Sequence, residues 1–114
     1  MKLALLSDLH ANLQALDACL AHAQAQGAGR IALLGDLVGY GPQPAEVLDK
    51  ARALQAEGAI VLRGNHDETA VTPPDADAPA RYGHATARWT HEALDEAQRA
   101  FLAGLPLLHQ EAGW

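Results

Sequence analysis

The stretch IVLRGNHDE, residues 60–68, places an asparagine, a histidine and two acids just after an apolar run, with one arginine and one glycine between. A short apolar run indicates a buried strand. The polar side chains that follow its end therefore call for a structural or functional explanation. Two earlier stretches, LLSDLHAN (5–12) and LLGDLVGYGPQP (33–44), likewise end an apolar run at an aspartate. These three polar clusters, each following an apolar run, decide the fold.

The pattern predicts strands at 2–7, 30–35 and 59–64, with helices between them at 12–27 and 44–57. This alternating order favours right-handed crossovers and a mostly parallel sheet, which makes the chain an α/β protein. Ligands of such sheets collect beyond the carboxyl ends of the strands, where all three polar clusters fall. We therefore expect the clusters to share one edge of the sheet.

The rest of the chain has a less regular pattern. Residues 69–80 are rich in proline and acid and indicate a loop, while 81–104 have a helical pattern with a break near Asp95. Residues 105–114 are typical of a turn that enters another strand. The candidate buried positions of the helical part are Tyr82, Ala85, Trp89, Ala97, Phe101 and Leu102.

Composition narrows the class of protein. A chain of 114 residues fits one domain, and its formal charge of −6 argues against a broad binding surface for duplex nucleic acid. No apolar run reaches the length of a membrane span, and the first is too short for a signal peptide. The single cysteine, Cys19, cannot form an internal disulfide, in agreement with a reducing compartment. The expected location is the cytoplasm, with no membrane partner.

The three clusters contain the donor types of a metal site. Asp8 and His10 can present oxygen and nitrogen to one cation, and the carboxylate of Asp36 has two oxygens to share between two cations. The side-chain oxygen of Asn65 is a suitable further ligand, which leaves His66 to face a substrate. Two cations about 3.5–4 Å apart can activate water and stabilise a phosphoryl group in transfer.

Each of these residues also has a plainer interpretation. An aspartate after a strand is often only a helix cap or turn former, and a lone histidine is more often structural than catalytic. Gly39 and Gly41 can be explained by a tight loop alone, without a functional role. Tyr40 between them is either a surface residue or a substrate contact. The agreement of three clusters at three strand ends is what favours the functional interpretation.

The stretches SDLHAN, GDLVGYGPQP and GNHD resemble the first three signature motifs of the calcineurin-like metallophosphoesterases, especially their small bacterial phosphodiesterase and phosphatase members. The resemblance implies the three-stranded βαβαβ half of that family's four-layer α/β/β/α sandwich, followed by helices. It also implies metal-dependent hydrolysis of small phosphate esters. By the same resemblance Asp8 and His10 bind the first metal, Asp36 bridges and Asn65 binds the second.

The remaining two motif residues take the catalytic roles in this resemblance. His66 protonates the leaving group or steadies the phosphoryl oxygens, and Asp67 orients His66. The cofactors implied are two divalent transition metal ions: manganese, iron, zinc, nickel or cobalt.

The family's later motifs, a strand ending in histidine and a Gly-His-x-His segment, have no match in the sequence. The resemblance therefore implies that residues 1–114 form the amino-terminal part of a single, longer domain. The motifs do not distinguish a phosphate monoester from a phosphate diester as the substrate. They also leave open whether two copies of the chain associate. The alternative function is a catalytically impaired module that acts in binding or as a scaffold. Nucleotide binding through a glycine-rich loop is disfavoured, because neither G-x-G-x-x-G nor G-x-x-x-x-G-K-[ST] occurs.

Overall fold

The computed structural model describes residues 1–75, 77 and 84–114. Its strands are β1 (Lys2–Leu6), β2 (Ala28–Leu33) and β3 (Ile60–Val61), and its helices are α1 (Leu13–Ala25), α2 (Pro44–Ala56), α3 (Asn65–Val71), α4 (His84–Ala93) and α5 (Glu96–Ala103). The strands form one parallel sheet in the order β1-β2-β3. The predicted α/β class and parallel βαβαβ order are confirmed.

The core lies between one face of the sheet and the helices. Leu6, Leu33 and Val61 extend from the three strands into this core, because alternate strand residues point to opposite faces. The largest fully buried side chains are Leu16, Leu33, Leu37, Leu48, Leu94 and Leu102. Leu37 and the neighbouring Val38, which is also completely buried, belong to the loop that follows β2, so the core anchors that loop.

The starts of three helices are fixed by residues at or near their first turns. The side chain of Asn12 accepts a hydrogen bond from the backbone N–H of Ala15 (3.0 Å) and caps α1. Pro44 occupies the first turn of α2, where its missing N–H has no cost. Asp95 caps α5 by a reciprocal pair of bonds with Gln98, which explains the predicted break between the last two helices.

Two predictions about irregular segments were wrong. The predicted loop 69–80 begins too early, because α3 continues to Val71; positions 76 and 78–80 lie outside the described residues. Residues 105–114 contain no strand. The N–H of Arg63, two residues after β3, donates to the carbonyl of Pro106 (2.9 Å), and the side chain of Arg30 in β2 forms an ion pair with Glu111. Pro106 itself has no N–H with which to continue a ladder.

The predicted buried face of the last two helices was also partly wrong. Leu102 is buried and Phe101 partly buried, but Ala85, Trp89 and Ala97 are exposed, and Tyr82 lies outside the described residues. The face of α4 that packs inward instead carries Ala87 and Thr90. In the part of the chain that is described, no helix is both long and apolar enough to cross a membrane.

Candidate metal centre

The loops after β1 and β2 pair with each other beyond the ends of the strands. The backbone N–H groups of Asp8, His10 and Ala11 donate to the carbonyls of residues 35, 36 and 37, at 3.1, 3.0 and 2.8 Å. This pairing requires curled backbone rather than extended strand. Asp8, His10, Ala11, Asp36 and Tyr40 all have positive φ, between 44° and 62°. Such strain concentrates at functional sites, where surrounding structure holds it.

The curled loops bring three potential metal ligands together. One ligand atom from each of Asp8, His10 and Asp36 lies within 4.8 Å of the other two. The Nε2 atom of His10 is 3.6 Å from a carboxylate oxygen of Asp8. Oxygen and imidazole donors in one group suit a divalent transition metal.

The hydrogen bond of the His10 ring shows whether the cluster of Asp8, His10 and Asp36 suits a cation. Its Nδ1 atom lies 3.1 Å from the carbonyl oxygen of Val38, a contact that Nδ1 makes as the donor. In the neutral ring the proton is then on Nδ1, and the lone pair of Nε2 is on the side of the Asp8 carboxylate. A ligating histidine commonly has its other ring nitrogen bonded to a carbonyl in this way, so the donor set fits a divalent cation.

The two carboxylates of this group have different surroundings. Asp8 is exposed, and a hydrogen bond from the Ser7 hydroxyl (2.5 Å), helped by Asp36 and His10, lowers its pKa. Asp36 is half-buried and one of its oxygens accepts a bond from the backbone N–H of His66 (3.0 Å). Asp36 therefore connects the end of β2 to the start of α3 and keeps a second oxygen for another partner. Ser7 was missed by the sequence reasoning, although it directly precedes Asp8.

The residues that follow β3 enter the site at the start of α3. The ring of His66 lies 5.0 Å from that of His10 and 4.6 Å from that of Tyr40, measured between centroids. Asn65 is the first residue of α3 and is exposed. The structure thus brings Asp8, His10, Asp36 and His66 together. The role of Asn65 as a ligand stays a prediction.

Asp67 is completely buried and binds backbone rather than solvent. Its carboxylate accepts from the N–H of Val38 (3.1 Å) and from that of Gly64 (2.8 Å). Burial raises the pKa of Asp67 to about 6, reinforced by the charge of Asp36 and opposed by the backbone bonds. The contacts of Asp67 join the loop after β2 to the first turn of α3. The role of Asp67 in orienting His66 stays a prediction.

A parallel sheet whose strand ends carry clustered carboxylate and imidazole donors is an α/β fold with a candidate metal site at one edge. Residues 1–109 match the family model of the calcineurin-like phosphoesterases, and the chain belongs to that family. The resemblance stated from the motifs is thereby confirmed.

Relatives and solved structures agree with this assignment. An uncharacterized protein of Methanocaldococcus jannaschii is 35% identical over 109 residues, which are 96% of this chain and 44% of that protein. The symmetrical bis(5'-nucleosyl)-tetraphosphatase of Aromatoleum aromaticum is 38% identical over 86 residues, 75% of this chain and 31% of that enzyme. The chain therefore spans less than half the length of these relatives.

Two solved structures share the fold. A metallophosphoesterase from Sphaerobacter thermophilus superimposes with a TM-score of 0.74 at 35% identity, over 93% of this chain and 42% of that one. A putative diadenosine tetraphosphatase superimposes with a TM-score of 0.62 at 24% identity, over 91% and 42% of the two chains.

Proposed function

We propose that this chain forms the metal-binding core of a phosphoesterase that hydrolyses small phosphate esters with two divalent cations. The observation that carries the proposal is the grouping of ligand atoms from Asp8, His10 and Asp36 within 4.8 Å, with the ring of His66 beside it. Family membership supports the reaction class. The relative from Aromatoleum aromaticum, which is named as a phosphatase of a dinucleoside tetraphosphate, supports a phosphate-ester substrate.

The ligand assignment follows the donors in the site. By the motif resemblance, Asp8 and His10 would hold the first cation, Asp36 would be shared between the two, and Asn65 would hold the second; the grouping of Asp8, His10 and Asp36 supports this. Manganese, iron, zinc, nickel and cobalt all suit this mixture of oxygen and nitrogen donors. When bound, such cations activate water as the nucleophile and neutralise charge on the phosphoryl oxygens.

His66 and Asp67 have separate roles in the proposal. His66, at the rim of the site, donates a proton to the oxygen of the leaving group or a hydrogen bond to the phosphoryl oxygens. Asp67 does not reach the substrate, because it is completely buried. It positions His66 by holding the backbone of Gly64 against that of Val38.

The wider assignments belong to the same proposal. Residues 1–114 are the amino-terminal part of one larger domain, the substrate is a small monoester or diester, and the protein acts in the cytoplasm. The alternative is a binding module with impaired catalysis. The share of its relatives' length that the chain spans, 44% and 31%, favours weak metal binding and low turnover by the chain alone.

The first prediction separates metal binding from catalysis. In a full-length version of the protein, Asp36→Ala should abolish tight manganese binding, because it removes the carboxylate that both cations would share. His66→Gln should keep the metal and lower turnover by about 10²–10⁴-fold, the usual contribution of a general acid. Calorimetric titration with manganese and hydrolysis of an aryl phosphodiester measure the two properties, with Asp17→Ala, an exposed carboxylate of α1, as control.

The outcomes distinguish the two functions. Manganese binding that depends on Asp36, without measurable turnover, supports the binding module. Turnover that His66→Gln removes supports the phosphoesterase. Loss of metal by His66→Gln as complete as that by Asp36→Ala would contradict the separate roles of these residues.

A further inference from the structure

Tyr40 places an aromatic ring at the rim of the candidate metal centre. Its ring centroid is 4.6 Å from that of His66 and 5.0 Å from that of His10, and 41% of the residue is exposed. A large hydrophobic ring beside charged and polar ligands, partly open to solvent, offers a surface to whatever binds there.

The backbone of Tyr40 has an unfavourable conformation. Its φ is 62°, in the left-handed region that a bulky side chain seldom adopts. Gly39 before it also has positive φ, and a Cβ at that position would lie 3.1 Å from both Cβ and Nδ1 of His66. The turn formed by residues 39 and 40 therefore passes directly against the side chain of His66, and the strained φ of Tyr40 directs its ring along the same side.

We propose that Tyr40 determines substrate specificity by stacking on a planar leaving group, so that the site prefers phosphate esters of an aromatic ring. This inference rests on the proposed function, in which His66 donates its proton to the leaving-group oxygen. A leaving group next to His66 is then next to Tyr40, given the 4.6 Å between the two rings. Offset or edge-to-face contacts between aromatic rings favour a planar group by about three- to tenfold over a saturated one of similar size.

A purely structural role for Tyr40 makes a different prediction. If the ring only packed the two histidines in place, its removal would weaken the binding of every phosphate ligand alike. A stacking role instead affects aromatic ligands and leaves inorganic phosphate unchanged. The comparison of ligands within each variant therefore decides between the two.

The test is a calorimetric titration of the chain, in manganese-containing buffer, with inorganic phosphate, cyclohexyl phosphate and phenyl phosphate. The two esters match in size and charge and differ in planarity. Tyr40→Phe keeps the ring, whereas Tyr40→Asn removes it and introduces a residue that tolerates positive φ. Tyr40→Gly is the second ring-free variant, for use where Tyr40→Asn does not fold. Trp89→Leu, which removes another exposed ring, is the control.

The native chain and the Tyr40→Phe and Trp89→Leu variants should bind phenyl phosphate about three- to tenfold more tightly than cyclohexyl phosphate. Tyr40→Asn should remove that preference and keep the affinity for inorganic phosphate. Equal affinities of the native chain for the two esters, with inorganic phosphate bound, would overturn the inference alone. A preference for phenyl phosphate that persists in Tyr40→Asn would also overturn the inference. So would a loss of affinity in Tyr40→Asn that is equal for all three ligands. Failure of the native chain to bind any of the three ligands while it binds manganese would overturn the proposed function and this inference with it.

Discussion

Gly64 shows how closely single residues are fitted at the metal centre. A Cβ at this position would lie 2.2 Å from Oδ1 of Asp36 and 2.4 Å from its backbone nitrogen, so no side chain is tolerated without displacement. The φ of Gly64 is −96°, which any residue can adopt. The requirement for glycine is therefore one of space and not of backbone conformation.

Gly64→Ala should lower the free energy of unfolding by about 1–3 kcal/mol, the usual cost of overpacking, and weaken manganese binding because Asp36 must move. Gly104→Ala is the matched control, since a Cβ there would lie 3.4 Å from its nearest neighbour. Urea denaturation and calorimetry measure the two effects. Equal free energies of unfolding and equal manganese affinities of the two variants would show that Asp36 moves aside at little cost.

Asp67 gives a second prediction at this scale. Asp67→Ala leaves the N–H groups of Val38 and Gly64 without their acceptor, and an unsatisfied buried donor costs about 1–3 kcal/mol. We expect the free energy of unfolding to fall by at least that amount, with reduced order at the start of α3. Glu68→Ala, an exposed neighbour on the same helix, should change stability by about 0.5 kcal/mol or less. Denaturation curves that coincide for the two variants would contradict the linking role of Asp67.

At the scale of elements, the loops that form the site are anchored by the helices they enter. Asn12 caps α1 two residues after His10, and the N–H of Leu13 donates to the side chain of Gln43 (3.2 Å), just before α2 begins. The start of α1 is thus connected to the start of α2. On the far side, Nδ1 of His91 in α4 lies 2.7 Å from the carbonyl of Ala70 near the end of α3. This contact makes His91 partly buried rather than solvent-facing.

Asn12→Ala should destabilise the fold by about 1 kcal/mol, because the N–H of Ala15 loses its capping oxygen. Asn12→Asp keeps an acceptor and adds a negative charge at the helix start, so it should retain stability or raise it slightly. Thermal unfolding followed by circular dichroism measures both. A loss of stability in Asn12→Asp equal to that in Asn12→Ala would show that the amide group, and not the cap oxygen, is needed.

At the scale of the whole molecule, two leucines at the sheet are exposed to solvent. Leu5 in β1 is 61% exposed and Leu34, just after β2, is 40% exposed, whereas the neighbouring Leu6 and Leu33 are buried in the core. The alternation of a parallel strand puts these pairs on opposite faces. Exposed leucines on one side of a sheet favour association.

The double variant Leu5→Thr/Leu34→Thr should therefore be less associated than the native chain, with little loss of monomer stability. Threonine has a high preference for strands, so the sheet should persist. Sedimentation equilibrium measures the association. A native chain that stays monomeric at high concentration would contradict this prediction.

The sequence by itself determined the order and type of the first five elements, from β1 to β3. Apolar runs and helical spacing are local properties, and so are the caps at Asn12 and Asp95 that mark the starts of α1 and α5. The placement of Asp8, Asp36 and Asn65 after three successive strands also followed from local patterns. The parallel topology then implied a common edge for these residues.

Only the tertiary structure decided how the side chains meet at that edge. The carbonyl that holds Nδ1 of His10 belongs to Val38, 28 positions away, and the buried carboxylate of Asp67 binds that same residue. Trp89 has the spacing of a core residue and is nevertheless exposed, because the neighbouring elements pack against another side of α4. Contacts between distant residues depend on how loops curl and helices dock. Local periodicity carries no information about either, which is why only the folded chain could place the rings of Tyr40 and His66 side by side.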